Sequence, residues 1–252
     1  MSWLERTELL LGKEKLEILK SSGVLIVGLG GVGAYAAEMI CRAGVGRMTI
    51  VDGDVVEESN RNRQLPALMS TTGQPKAEIL ANRFRDINPE IELTVVHEFI
   101  RDEKIVELLE SQPFDYVLDA IDTLSPKVFL INHCLQKGLK IVSSLGAGGK
   151  RDPSKVQVTD ISKSYNCKLG RMLRKRLSKL GIKKGFKVVF SPEEIPEKVV
   201  RAENGRNKKS TVGTISYMPP LFGCFMASVV INDLLNGEFL PPENPESFRG
   251  TL

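Results

Sequence analysis

Residues 21–40, SSGVLIVGLGGVGAYAAEMI, run an apolar strand straight into closely spaced glycines and then into a helix, an order that few folds accept. Gly28, Gly30 and Gly33 fit the strand–turn–helix fingerprint of nucleotide-binding α/β proteins. The first glycine permits a tight turn, the second lets backbone approach a phosphate, and the third lets helix and strand pack closely. The helix expected at 32–43 then points free N–H groups and a positive dipole end toward an anion. Asp52 ends the next apolar run, 19 residues after Gly33, where an acid can accept hydrogen bonds from ribose hydroxyls. Taken alone, the turn suits an NAD site equally well, and Asp52-Gly53-Asp54 suits a simple tight reversal.

Apolar strand patterns at 24–27, 48–51, 92–97, 116–120 and 140–144 alternate with helical patterns at 32–43, 75–88, 102–111 and 127–137. That alternation predicts an α/β fold, a Rossmann-like, doubly wound and mostly parallel sheet. Its ligand crevice lies outside the carboxyl ends of the strands, where Gly28, Asp52, Asp122 and the 146–149 loop all fall. Asn60-Arg61-Asn62-Arg63-Gln64, Lys76 after Gly73-Gln74-Pro75, and Asp122 in DAIDT join them. Hydride transfer has little use for this set. Phosphoanhydride cleavage does, because cations and a carboxylate-held magnesium ion stabilise the charge that builds as pyrophosphate leaves. Singly, each has a plainer account: Arg61 and Arg63 as solvated charges, Asp122 as a helix cap, Lys76 as a first-turn surface residue after Pro75. A lysine there opposes the helix dipole unless an anion lies nearby.

The order Gly28-x-Gly30-Gly31-x-Gly33, Asp52, Asn60 with Arg63, Lys76 and Asp122 resembles the ubiquitin-activating-enzyme-like adenylyltransferases, over about residues 5 to 150. The resemblance implies ATP and Mg2+ as cofactors. Asp52 would hold the ribose, Asn60, Arg63 and Lys76 the phosphates, and Asp122 the magnesium. Arg6 resembles the arginine that such homodimers donate in trans to the partner's ATP.

Beyond residue 150 the composition shifts. Ten basic residues (Lys163, Lys168, Arg171, Arg174, Lys175, Arg176, Lys179, Lys183, Lys184 and Lys187) occur between 163 and 187 with no acid among them; without them the 35 basic and 31 acidic residues become 25 and 31. One segment therefore creates the net charge of +4, and such a surface attracts polyanions. Leu169, Met172, Leu173, Leu177 and Leu180 recur at helical spacing, predicting an amphipathic helix with its basic face outward. Arg176 falls within the apolar arc, so it either snorkels to the edge or reaches a buried anion site. A solvated face would interleave acids, and a membrane-surface helix would carry Trp or Phe anchors; nucleic acid fits better. Arg206, Lys208 and Lys209 in the polar, flexible loop 201–211 add a second basic contact.

The 146–149 glycines, Asp152-Pro153, VQVTDI from Val156 and the basic helix resemble, within that superfamily, the tRNA threonylcarbamoyladenosine dehydratases, extending the match to about residue 235. This implies a carboxylate adenylated by ATP and then captured by the modification's own carbamoyl group, on tRNA carrying threonylcarbamoyladenosine bound by Lys168, Arg171, Arg174, Lys175, Arg176, Lys179, Lys183 and Lys184. The expected organisation is an adenylation core at 1–150, an extension at 151–240 completing the same domain, and a loose tail at 241–252. Cys41, Cys134, Cys167 and Cys224 are scattered without a Cys-x-x-Cys pair, so no zinc is expected and a cytoplasmic setting follows. His97 on a strand and His133 on a helix read as structural. A thioester cysteine is not required by intramolecular cyclisation, although Cys167 lies in a basic stretch that could activate it. In the C-terminal apolar run Pro219-Pro220 leaves about 14 residues, short of a membrane span; a buried helix, at a dimer interface, is expected instead. Two competitors remain: an adenylyltransferase for a ubiquitin-like sulfur carrier, marked by binding a Gly-Gly tail, and a nucleotide or RNA sensor that binds ATP without releasing pyrophosphate. A sulfur- or electron-transfer protein is a further candidate partner.

Overall fold

The computed structural model describes residues 2–202 and 210–236. Its centre is a seven-stranded sheet built from β1 (Gly23–Val27), β2 (Arg47–Val51), β3 (Glu92–Val96), β4 (Tyr116–Asp119), β5 (Ile141–Ser144), β6 (Gln157–Asp160) and β7 (Lys187–Phe190). The spatial order is β3-β2-β1-β4-β5-β7-β6, and every pairing is parallel except β6 with β7. The order reverses direction between β1 and β4, which makes the switch point where such sheets bind ligands. β1, β4 and β5 are buried along their whole length, as strands covered on both faces must be; β1 is accordingly apolar throughout, while β4 and β5 begin apolar and carry the polar Asp119, Ser143 and Ser144 at their carboxyl ends.

Helices α1 (Glu5–Leu11) and α2 (Lys13–Ser21) precede the sheet, and α3 (Gly33–Arg42), α4 (Lys76–Ile87), α5 (Glu103–Glu110) and α6 (Leu124–Gln136) form the crossovers. α7 (Lys168–Ser178) and α8 (Met218–Asn236) follow, with a hairpin of β8 (Val200–Ala202) and β9 (Ser210–Val212) between them. One core layer packs α3, α4 and α8 on the sheet; the other packs α5, α6 and α7 on its opposite face.

Four expectations change. α6 starts three residues before the expected 127: Thr123 is the extended residue at its N-cap, so Asp122 precedes the cap rather than forming it. Pro126 then lies in the first turn, whose N–H groups have no helical partner anyway. Pro219 and Pro220 likewise occupy the first turn of α8 rather than interrupting it. By length and composition α8 could cross a membrane, but it packs on α3, and its Asp233 is buried against Lys187 (2.6 Å) and the Tyr116 hydroxyl (2.7 Å). Lys187 is therefore a core ion pair and not part of a basic surface. His97 falls just after β3 rather than on it, while His133 sits on α6 against the Phe129 ring at 4.3 Å.

Candidate adenylation site and basic face

Tight backbone packing at the switch point explains the glycines. Gly28 has φ +91°, and a Cβ there would lie 2.8 Å from the Ala120 carbonyl oxygen. A Cβ on Gly33 would meet the Gly28 carbonyl oxygen at 1.7 Å, so helix and turn touch through backbone alone. A Cβ on Gly31 would lie 2.9 Å from the Pro219 side chain and 3.2 Å from the Arg63 carbonyl oxygen, whereas among the described residues one on Gly30 would meet only the Gln64 amide nitrogen, at 3.8 Å. Gly30 is thus the glycine left open to a ligand.

Asp52, at the end of β2, accepts from Leu29 N–H at 2.6 Å through one oxygen and from Asp54 N–H at 2.7 Å through the other. Burial pushes its carboxyl upward, opposed by the Leu29 N–H and the Lys76 ammonium. Lys76 is buried at the start of α4, and its Nζ donates to Asp54 Oδ2 at 3.0 Å. Asp54, legible in the sequence only as a turn residue, is the anion that holds this lysine. Asn60 is buried and its Oδ1 accepts from Glu57 N–H at 3.2 Å, shaping its own turn. Arg63 is half-buried above Gly31 and donates to Ser59 O (2.9 Å) and Asn62 Oδ1 (2.7 Å). Asp122 is exposed on the loop between β4 and α6.

Beneath that loop lies a group no sequence motif announced. Lys127, Asp119 and Ser143 are fully buried and mutually hydrogen-bonded. A further tie runs over the top: Asn62 donates to Thr214 O (3.0 Å), Gly149 N–H to Gly213 O (2.8 Å) and the Tyr217 hydroxyl to Arg151 O (2.9 Å). The residues after β5, the Asn60–Arg63 segment and the residues after β9 thus meet at one edge. Arg6 does not join them. It is exposed on α1, next to Leu4, whose side chain packs on Gly44 beyond the far end of α3.

On α7, Leu173 and Leu177 are buried and Leu169 is half-buried, but Met172 (44%) and Leu180 (53%) are exposed, contrary to the expected apolar arc. Arg176 is exposed as well, so no buried anion site receives it. Arg174 is turned to the Ser164 hydroxyl. Lys168, Arg171, Lys175, Lys179, Lys183 and Lys184 are exposed. Arg206, Lys208 and Lys209, and the 241–252 tail, lie outside the described residues. Among the described residues no group of three or more His, Cys, Asp or Glu could hold a metal ion. Cys41, Cys134 and Cys167 are buried, and Cys224 is exposed.

A glycine turn at the switch point, an acid at the end of the second strand and cations above both define the ubiquitin-activating-enzyme-like class of nucleotide-binding α/β proteins. The chain belongs to the ThiF family, whose model matches residues 4–251. It is similar to the tRNA threonylcarbamoyladenosine dehydratase of Bacillus subtilis, at 42% identity over 91% of this chain and 93% of that protein. The crystal structure of the Escherichia coli tRNA N6-threonylcarbamoyladenosine dehydratase in complex with ATP matches with a TM-score of 0.82 and 35% identity, covering 91% of this chain and 92% of that one. The molybdopterin-synthase adenylyltransferase of E. coli is 39% identical, but over only 50% of this chain.

Proposed function

We propose that this protein is an ATP-dependent tRNA threonylcarbamoyladenosine dehydratase. The observation carrying this reading is the match to the B. subtilis dehydratase through both halves of the chain, including the basic helix α7. The threonylcarbamoyl carboxylate has a poor leaving group, and adenylation solves that problem. A carboxylate oxygen attacks the ATP α-phosphorus, the bond to the β-phosphate oxygen breaks, and pyrophosphate departs. The carbamoyl group of the same modification then attacks the acyl carbon, expels AMP and closes a ring, with net loss of one water from the nucleoside. The second step is intramolecular, and good orientation contributes about 7 to 11 kcal/mol relative to a bimolecular encounter.

In this reading Gly28, Gly30, Gly31 and Gly33 admit the phosphates, and Asp52 turns from its present N–H partners to the ribose. Arg63 and Lys76 compensate the charge on the departing pyrophosphate, with Asn60 holding the turn that carries Arg63. The exposed carboxylate of Asp122, at the same edge, fits Mg2+, which is commonly held by one or two carboxylates plus substrate phosphates; when bound, the ion would neutralise phosphate charge. Arg6 serves a partner's site, since its helix is anchored at the wrong end of α3 for its own, and the exposed Leu9 and Leu10 beside it support a homodimer. Residues 1–150 form the adenylation core and 151–240 complete it with the tRNA-binding surface, in a cytoplasmic setting. Lys168 through Lys184 contribute that surface, with Arg174 first structural.

The second reading is activation of a ubiquitin-like sulfur carrier, favoured by the molybdopterin-synthase adenylyltransferase match. That match covers only half of the chain. The deciding experiment is mass analysis of nucleosides after incubation with Mg2+, ATP and tRNA carrying threonylcarbamoyladenosine. Loss of one water, abolished in Lys76→Ala or Asp122→Ala, is expected. An unchanged nucleoside, with adenylation of a Gly-Gly tail instead, replaces this reading with the second.

A further inference from the structure

Met172, Lys175, Arg176 and Lys179 stand at i, i+3, i+4 and i+7 of α7 and its end, and so form one stripe of the helix. Together with Leu124 they line a groove of about 530 Å3 between α6 and α7. Leu124 opens α6, two residues after Asp122, so the groove begins at the edge that carries the adenylation groups. The opposite end of α7 is pinned to that edge as well. A Cβ on Gly170 would lie 2.8 Å from Leu145, and one on Gly146 would lie 3.8 Å from the Cys167 sulfur. Among the described residues no carboxylate lines the groove, and the first turn of α6 carries no acid. Met172 is left 44% exposed there, an apolar surface ringed by three cations.

We propose that this groove seats the RNA strand flanking the reacting nucleotide, with Met172 and Leu124 as the apolar floor for one base and Lys175, Arg176 and Lys179 on its phosphates. The inference rests on the dehydratase reading and deepens it by giving the cations of α7 separate roles. Arg174 is committed to Ser164, and the 172–179 stripe guides the strand. Single-stranded RNA is commonly held this way, by unstacked bases on apolar or aromatic surface and a cationic track for the backbone. Charge complementarity chooses RNA over an apolar peptide.

The test measures binding of a fluorescent anticodon stem-loop RNA to the full-length protein across a salt series. Arg176→Glu is expected to weaken binding at least ~10-fold and to make the salt slope shallower by about 0.7–0.9 per lost phosphate contact. Met172→Ser is expected to weaken binding with the slope unchanged, as loss of an apolar contact requires. Lys140→Glu changes charge equally at the amino end of β5 and is expected to alter binding less than ~2-fold. Equal losses in Arg176→Glu and Lys140→Glu overturn the groove in favour of bulk charge. So does recruitment to phosphatidylserine vesicles that Arg176→Glu abolishes while RNA binding persists. Normal RNA binding by Arg176→Glu, in a protein that still removes water from the nucleoside, defeats the groove alone. Groove-dependent RNA binding by a wild-type protein that leaves the nucleoside unchanged defeats the dehydratase reading alone.

Discussion

Lys127 Nζ lies 2.7 Å from Asp119 Oδ2, and neither side chain reaches solvent. The same ammonium donates to Ser143 Oγ at 3.0 Å, and Asp119 Oδ1 accepts from Ile121 N–H at 3.1 Å. A single buried cation therefore ties the carboxyl ends of β4 and β5 to α6 and sets the turn on which Asp122 stands. Removing one member of such a pair strands the other as an uncompensated buried charge, which costs about 3–5 kcal/mol. Lys127→Met should show that loss in chemical denaturation, and Lys127→Met with Asp119→Asn should recover part of it. A single variant as stable as wild type would sink this account.

Two glycines in the same turn should respond differently to one methyl group. Gly33→Ala places a Cβ 1.7 Å from the Gly28 carbonyl, where only backbone can yield, so both thermal stability and ATP binding should fall. Gly30→Ala meets nothing closer than the Gln64 amide at 3.8 Å. It should keep the melting temperature and lose ATP affinity, because its methyl occupies the approach of the phosphates. Calorimetry of both variants separates the effects; equal loss of stability would show that Gly30 is there for folding.

Glu38 on α3 is buried and bridges Arg83 of α4 at 2.5 Å and Arg42 of its own helix at 2.8 Å. Burial raises its carboxyl, but the Arg83 and Arg42 hydrogen bonds outweigh that and hold it below the ordinary value of 4.5. With the folded-state value depressed, the unfolded chain binds more protons in the acid range, so stability rises with pH there. Glu38's contribution is complete above about pH 5 and disappears as pH falls through the folded-state value. Stability curves of wild type and Glu38→Gln should therefore converge on acidification. A constant gap between pH 7 and pH 3 would remove Glu38 as the cause.

The thiols of Cys41 and Cys134 are pushed up to about 12 by burial, so neither supplies a nucleophile near neutrality. Cys167 caps α7, its sulfur accepting from Gly170 N–H at 3.4 Å. Serine is a preferred capping residue, and Cys167→Ser should leave nucleoside turnover within about twofold while preserving the helix. Alkylation followed by peptide mapping should find Cys224 modified first, since it is the exposed thiol. Loss of turnover in Cys167→Ser would instead point to a covalent intermediate.

The parallel strands and their crossover helices were legible because strands covered on both faces are mostly apolar, and glycines that touch backbone leave an unmistakable spacing. β6 and β7 were less visible. Each has four residues, and the charged Lys187 opens β7 with its partner Asp233 46 positions away. No local pattern announces such a pair. Lys127 stayed hidden for the same reason: beside Ser125 and Pro126 a lysine reads as surface, and only the fold brings Asp119 and Ser143 around it. Asp54 was in view within Asp52-Gly53-Asp54, but its role appears only when α4 delivers Lys76. Met172 and Leu180 look apolar enough for the core, yet the narrow contact between α6 and α7 buries Leu173 and Leu177 and leaves them outside.

Because β7 is inserted between β5 and β6, the basic helix belongs to the connection that completes the sheet. It cannot be lifted out as a cassette. Excising residues between β5 and β7 would remove β6 and leave β7 with an open hydrogen-bonding edge, the kind of edge along which chains join one another. A lineage that abandoned RNA could replace the charges on α7 one by one, but it would have to keep the helix.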